Sequence, residues 1–145
     1  MKKDIFIDTN IACKFAKPNK AQVEFLEWLE NSGYLMVSKK ILNEYNKSCN
    51  IRIFIAIIDK LISNNRLVRI SNDEIKTFKK QHFTKRITKR LQSNHQDRDH
   101  IPLVLLSERK IAITEDDKFT SDLMNIPGFK PIVSHTFDGV DYSNL

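Results

Sequence analysis

Glycine and proline are scarce in this 145-residue chain, with only 3 Gly and 4 Pro. That scarcity excludes collagen-like, low-complexity and Gly/Pro-linker classes. Two cysteines, Cys13 and Cys49, are too few for a disulfide framework, and no Cys-x-x-Cys pair offers a zinc site. They are expected to be small core residues or free thiols. No run of about 18 apolar residues exists, so no membrane span or membrane partner is expected. Asp4 precedes any apolar stretch of signal-peptide length, and the chain is expected to be soluble and cytoplasmic. What is present is 41% hydrophobic residues, enough for a real core in one domain spanning 1–145.

Charge is unevenly spread. The chain carries +6 overall, but residues 51–100 hold 12 bases and 5 acids, whereas residues 101–145 hold 4 and 7. Between Ile75 and Gln96 there is no acid, and Lys76, Lys79, Lys80, Lys85, Arg86, Lys89 and Arg90 supply seven positive charges around His82 and Phe83. One such lysine belongs to any solvated helix face. An unbalanced run of this density suits the phosphates of a nucleic acid, with an acidic protein as the other reading.

Hydrophobic patterning predicts short apolar strands alternating with helices. Ile5-Phe6-Ile7 opens the chain as a buried strand with Asp8 at its carboxyl end. A helix follows from about Lys20 to Asn31, stopped by Ser32-Gly33, and then a strand over 34–37. Ser38 is placed to cap a helix through Tyr45. The Ile51–Ile62 stretch fits both periods, and its length favours helix. A strand at 67–70, a helix capped by Ser71, a helix from Ile101 to Ser107, a strand over 110–114, a short helix through Phe119 and Leu123, and a strand at 131–133 complete the series. The tail from His135 to Leu145 is polar and expected to be loosely held. Together these predict an α/β fold with a mainly parallel sheet covered on both faces, whose crevice lies beyond the carboxyl ends of its strands.

Acids cluster where that crevice should be. Asp8 follows one apolar strand, while Asp116 and Asp117 follow another, so both strand ends carry carboxylates at the same edge. Each alone reads as a turn or cap residue. Glu44 borders the apolar face of its helix, where a partner is needed. Asp97 and Asp99 open the helix at 101; the helix terminus explains one of them, Asp97 as the cap, which leaves Asp99 spare for the site, with the reverse assignment as the alternative. Like charges about 4 Å apart repel by about 1 kcal/mol in water and about 4 at an effective dielectric of 20, so the group calls for a cation. Oxygen ligands without cysteine or a histidine pair suit Mg²⁺ or Mn²⁺ and phosphoryl-transfer chemistry. No Gly-x-Gly-x-x-Gly follows the first strand, which excludes a dinucleotide fold. A haloacid-dehalogenase-like phosphatase needs an Asp where this chain has Asn10, and the cysteines lack the context of a Cys–His hydrolase.

The ordered set Ile5-Phe6-Ile7-Asp8-Thr9-Asn10, Val37-Ser38 leading to Ile41-Leu42-Asn43-Glu44, an acid opening an apolar helix, and Ile113-Thr114-Glu115-Asp116-Asp117 resembles a PIN domain over nearly the whole chain. The resemblance implies a three-layer α/β/α sandwich and a metal-dependent endoribonuclease like the toxins of bacterial toxin–antitoxin pairs. By position, Asp8, Glu44, Asp99 (or Asp97) and Asp116 are the four acids. Asp8, Asp116 and Asp99 or Asp97 would hold Mg²⁺ or Mn²⁺, with Asp117 as a further candidate. Thr9 and Asn10 would orient the first acid, and Thr114 the fourth. RNA, an antitoxin protein and a second copy of the chain are the partners it implies. The other readings are a non-catalytic RNA-binding module and a structure-specific DNase of the same fold. The chain departs from the pattern in the bulky Leu103-Val104-Leu105-Leu106 of that helix and in Glu108-Arg109-Lys110, where a glycine turn is expected.

Overall fold

Ile5, Phe6 and Ile7 have no solvent exposure, and they form the middle of β1 (Asp4–Ile7) in the computed structural model, which describes residues 1–144. A strand hidden on both faces must be central in its sheet. It is: β2 (Tyr34–Val37) and β3 (Leu67–Arg69) lie on one side, β4 (Ile111–Ile113) and β5 (Ile132–Ser134) on the other, in the order β3-β2-β1-β4-β5. Every neighbouring pair is parallel, with Ile5 opposite Leu35 and Phe6 opposite Ala112. The chain thus steps outward from β1 in one direction and returns to build in the other. That reversal opens a crevice at the carboxyl ends of β1 and β4.

Right-handed crossovers put the helices of the two directions on opposite faces. α1 (Thr9–Ala12), α2 (Lys20–Asn31), α3 (Lys39–Glu44) and α4 (Arg52–Ser63) serve the β1-β2-β3 half. α5 (Asn72–His82), α6 (Lys85–Thr88), α7 (Ile101–Leu105) and α8 (Asp117–Met124) serve the return and the second half. α2 packs on α4, and α7 on α5 and α8. The result is the expected three-layer α/β/α sandwich.

Local signals explain most element ends. Asn19 and Gln22 form a capping box at α2, as do Ser71 and Glu74 at α5. Ser38 Oγ accepts from Ile41 N at the start of α3. Past Glu44 the helix widens into a π-helical turn over Tyr45–Cys49 and ends at Asn50, whose φ of 40° is left-handed. Before β4 the missing glycine is replaced by Lys110 itself at φ 56°. The turn is held because buried Asp4 accepts from Glu108 N (2.8 Å) and Arg109 N (3.1 Å).

Two expectations are corrected. Cys13 and Cys49 are joined by a disulfide, because the end of α1 and the π-helical turn approach to a Cα separation of 4.7 Å; a count of cysteines carries no such proximity. Nor are the described residues after His135 loose, Leu145 lying outside them. Phe137 is buried against Phe25 (ring centroids 4.1 Å), and Arg109 Nη1 donates to the Tyr142 carbonyl at 2.6 Å. No helix among the described residues is long and apolar enough to cross a membrane.

Candidate metal centre

The β1 and β4 ends are joined by side chains. Asp8 follows β1 and accepts from Thr9 N (2.8 Å) at Oδ1 and from Thr114 Oγ1 (2.6 Å) at Oδ2. The same Thr114 hydroxyl accepts from Asp116 N at 3.1 Å. Asp116 in turn caps α8, its Oδ1 accepting from Lys118 N (2.9 Å) and Phe119 N (3.1 Å). One buried threonine therefore holds both acids, its hydroxyl donating to the Asp8 carboxylate and accepting from the Asp116 backbone N–H. Thr9 touches Asp8 only through its backbone N–H, and its Oγ1 is buried without a hydrogen-bond partner. Asn10 does not orient Asp8; its Oδ1 accepts from Glu115 N at 3.4 Å.

The opposite wall comes from α3 and from the 3-10 turn over Asp97–His100 that precedes α7. Residues i and i+3 of a 3-10 turn eclipse, so Asp97 and His100 project together while Asp99 is carried round the axis. Single ligand atoms of Glu44, Asp97 and His100 all lie within 4.8 Å of one another. His100 Nε2 stands 2.6 Å from Glu44 Oε2, yet neither atom has an aligned hydrogen bond. The expectation that Asp97 caps the helix and Asp99 enters the site is thus reversed by geometry. The helical course begins one residue earlier than capping logic placed it, with Gln96 at the cap position and no side-chain cap bond.

Asp99 faces two cations instead. Lys79 Nζ reaches its Oδ1 at 2.6 Å and Lys40 Nζ its Oδ2 at 3.0 Å. Burial pushes its carboxyl upward, but the hydrogen bonds and charges of Lys79 and Lys40 outweigh that and hold it below the usual range. Asp97 moves the other way: burial raises it, Asp8, Asp116 and Glu44 raise it further, and only His100 opposes. Asp8 is also raised, by burial first and by Asp116, against the hydrogen bonds of Thr114 and Thr9 and the charge of His100. Four carboxylates, Asp8, Glu44, Asp97 and Asp116, therefore share one field. Tyr45, buried behind them and donating to the Ile7 carbonyl, feels Asp8 and Glu44 as well.

Asp117 is not brought into this group. Its side chain is 91% exposed and faces His135 Nε2 at 3.4 Å. Of the basic run, Lys79 alone contacts an acid of this region; Lys76, Lys80, Lys85, Arg86, Lys89 and Arg90 are exposed. Sequence reasoning missed Lys40 and His100. The three-residue spacing of Asp97 and His100, beside buried Ile101 and Val104, was the available signal.

The donor set fits a divalent ion. Asp8 and Asp97, whose acidity is weakened by burial and by neighbouring acids, and a buried histidine and buried carboxylate oxygen without aligned partners, are what a cation would relieve.

No family model matches the chain, and no curated protein matches it. Among solved structures, a chain of the crystal structure of VapBC2 from Rickettsia felis, bound to a DNA fragment from their promoter, is similar over 90% of this chain and 97% of that one, with a TM-score of 0.57 and 20% identity. At that identity the likeness is one of fold, and it supports the PIN-like form of the sandwich.

Proposed function

We propose that the chain is a metal-dependent endoribonuclease of the PIN type, working as the toxin of a toxin–antitoxin pair. The observation that carries the reading is the meeting of Asp8, Glu44, Asp97 and Asp116 at the reversal point of the sheet, with Lys40 and Lys79 at its border. Asp8, Asp97 and Asp116 would hold a Mg²⁺ or Mn²⁺ ion, which would supply the charge needed to acidify a water and to stabilise a leaving oxygen. Thr114 keeps Asp8 in place, and Glu44 faces the same crevice from α3. Lys40, Lys79 and the exposed bases of α5 and α6 attract the phosphate backbone. The fold likeness to a chain of VapBC2 supports an antitoxin partner, and a second copy of the chain is the further assembly the family resemblance suggests.

Cleavage assays test this directly. With Mg²⁺ or Mn²⁺, single-stranded RNA is cut, and EDTA or Asp8→Asn abolishes the cut in a folded protein. RNA binding without cleavage under every metal condition would leave the non-catalytic module, and cleavage of DNA in preference to RNA would leave the DNase.

A further inference from the structure

His100 is a strange residue for its place. Its neighbours in the chain, Ile101, Leu103 and Val104, are wholly buried and apolar, and His100 itself is only 2% exposed. A core position of that kind takes an apolar side chain unless the polar atoms are satisfied, because an unpaired buried polar group costs free energy. Neither ring nitrogen has an aligned hydrogen-bond partner. The ring lies against Phe6, with centroids 5.9 Å apart, and Nε2 is turned toward Glu44 Oε2. Glu44 Oε2 is also buried without an aligned partner, and Asp97 supplies a third atom within 4.8 Å. Ions bound at about 2.1 Å hold adjacent ligands about 3 Å apart and opposite ones about 4 Å apart, so Nε2 and Oε2, now 2.6 Å apart, need to open slightly and the widest pair, within 4.8 Å, needs little closure.

We propose that His100 is a nitrogen ligand in this crevice, joining Glu44 and Asp97, and that it makes the site selective for a first-row transition ion over Mg²⁺. The inference rests on the metal-nuclease reading and adds to it a donor that the carboxylates alone do not provide. Carboxylates serve Mg²⁺ and Mn²⁺ alike, whereas an imidazole discriminates against Mg²⁺, which prefers oxygen and keeps its waters. Mg²⁺ therefore binds this crevice through oxygen only, and Mn²⁺ gains one bond more.

Pulsed electron paramagnetic resonance on the whole protein loaded with Mn²⁺ reads the ligand directly. The expected spectrum carries ¹⁴N modulation from a coordinated imidazole, which changes to the ¹⁵N pattern when histidine is ¹⁵N-labelled and disappears in His100→Gln. In competition titrations, wild type should favour Mn²⁺ over Mg²⁺ by about tenfold or more, and His100→Gln should lose most of that ratio while still binding Mg²⁺. Should the variant fail to fold, the labelled wild-type spectrum decides alone. Mn²⁺ bound without nitrogen modulation overturns the proposal and leaves an all-oxygen metal nuclease. No Mn²⁺ binding at all overturns the nuclease reading together with it.

Discussion

Asp97 and Asp99 are two residues apart on one turn, yet they live in opposite electrical surroundings. Asp97 looks inward, where burial and then three other carboxylates push its proton affinity up; Asp99 looks outward at Lys40 and Lys79, which outweigh its burial and pull it down. Identical side chains are thus divided into a cation-seeking interior and a charge-balanced border by nothing more than the rotation per residue of a 3-10 turn. Under the proposed activity the division has a use. A site of bare carboxylates repels a phosphate backbone, and the lysines beside it attract one.

Swapping the two roles gives the largest expected effect. Asp97→Asn should lower kcat/KM for RNA by about 100-fold or more, some 2.7 kcal/mol of transition-state stabilisation, whereas Asp99→Asn should lower it less than about fivefold. Steady-state cleavage by both variants, with folding checked by circular dichroism, makes the measurement. Equal losses would erase the distinction.

Removing the border cations comes next. Lys40→Gln together with Lys79→Gln should raise KM by about tenfold with little change in kcat. The log–log salt dependence of binding to single-stranded RNA should become shallower by about 1.4, at about 0.7 for each lost phosphate contact. Fluorescence anisotropy across a salt series reads both, and an unchanged slope would mean that these lysines serve Asp99 alone.

Smallest are the shifts in stability without metal. A carboxyl whose value is raised on folding binds its proton more readily in the folded chain, so its contribution to stability falls as pH rises from about 4 through the folded value. Asp8 and Asp97 are of this kind. Asp99 is the reverse: its stabilising contribution is present above the ordinary value and is lost as pH falls through the depressed one. At pH 7, Asp97→Asn should therefore raise the metal-free Tm by about 3 °C, roughly 1 kcal/mol, and Asp99→Asn should lower it by a degree or two. The gain in Asp97→Asn should vanish near pH 4 and reverse when Mn²⁺ is added, as differential scanning fluorimetry can follow.

Much of this arrangement is legible in the residues because it depends on short-range rules. The apolar triplet Ile5-Phe6-Ile7 and the run ending at Thr114 place Asp8 and Asp116 at strand ends, and parallel pairing puts those ends side by side. Ser38 and Ser71 announce their helices by their cap chemistry. The rest depends on contacts across the fold. Lys40 reaches Asp99 from 59 positions away in the chain, and nothing local to either residue encodes that meeting. Whether Asp97 or Asp99 faces the other acids turns on whether the first turn is a cap or already helical, and capping preferences alone do not place that turn. His100 reads as an ordinary core histidine until its contact with Glu44 and its unaligned ring nitrogens are seen.

The Cys13–Cys49 bond closes a covalent ring that contains α2, β2 and α3. A chain tied in this way has fewer shapes open to it when unfolded, and for a separation of 36 residues the chain-entropy relation gives roughly 4 kcal/mol at room temperature. Asp8 and Glu44 each stand five residues ahead of a bonded cysteine, so two walls of the crevice are anchored to a single knot. A protease that nicks the loop anywhere between those cysteines leaves one connected molecule, and its two ends separate on a gel only after a thiol has opened the ring.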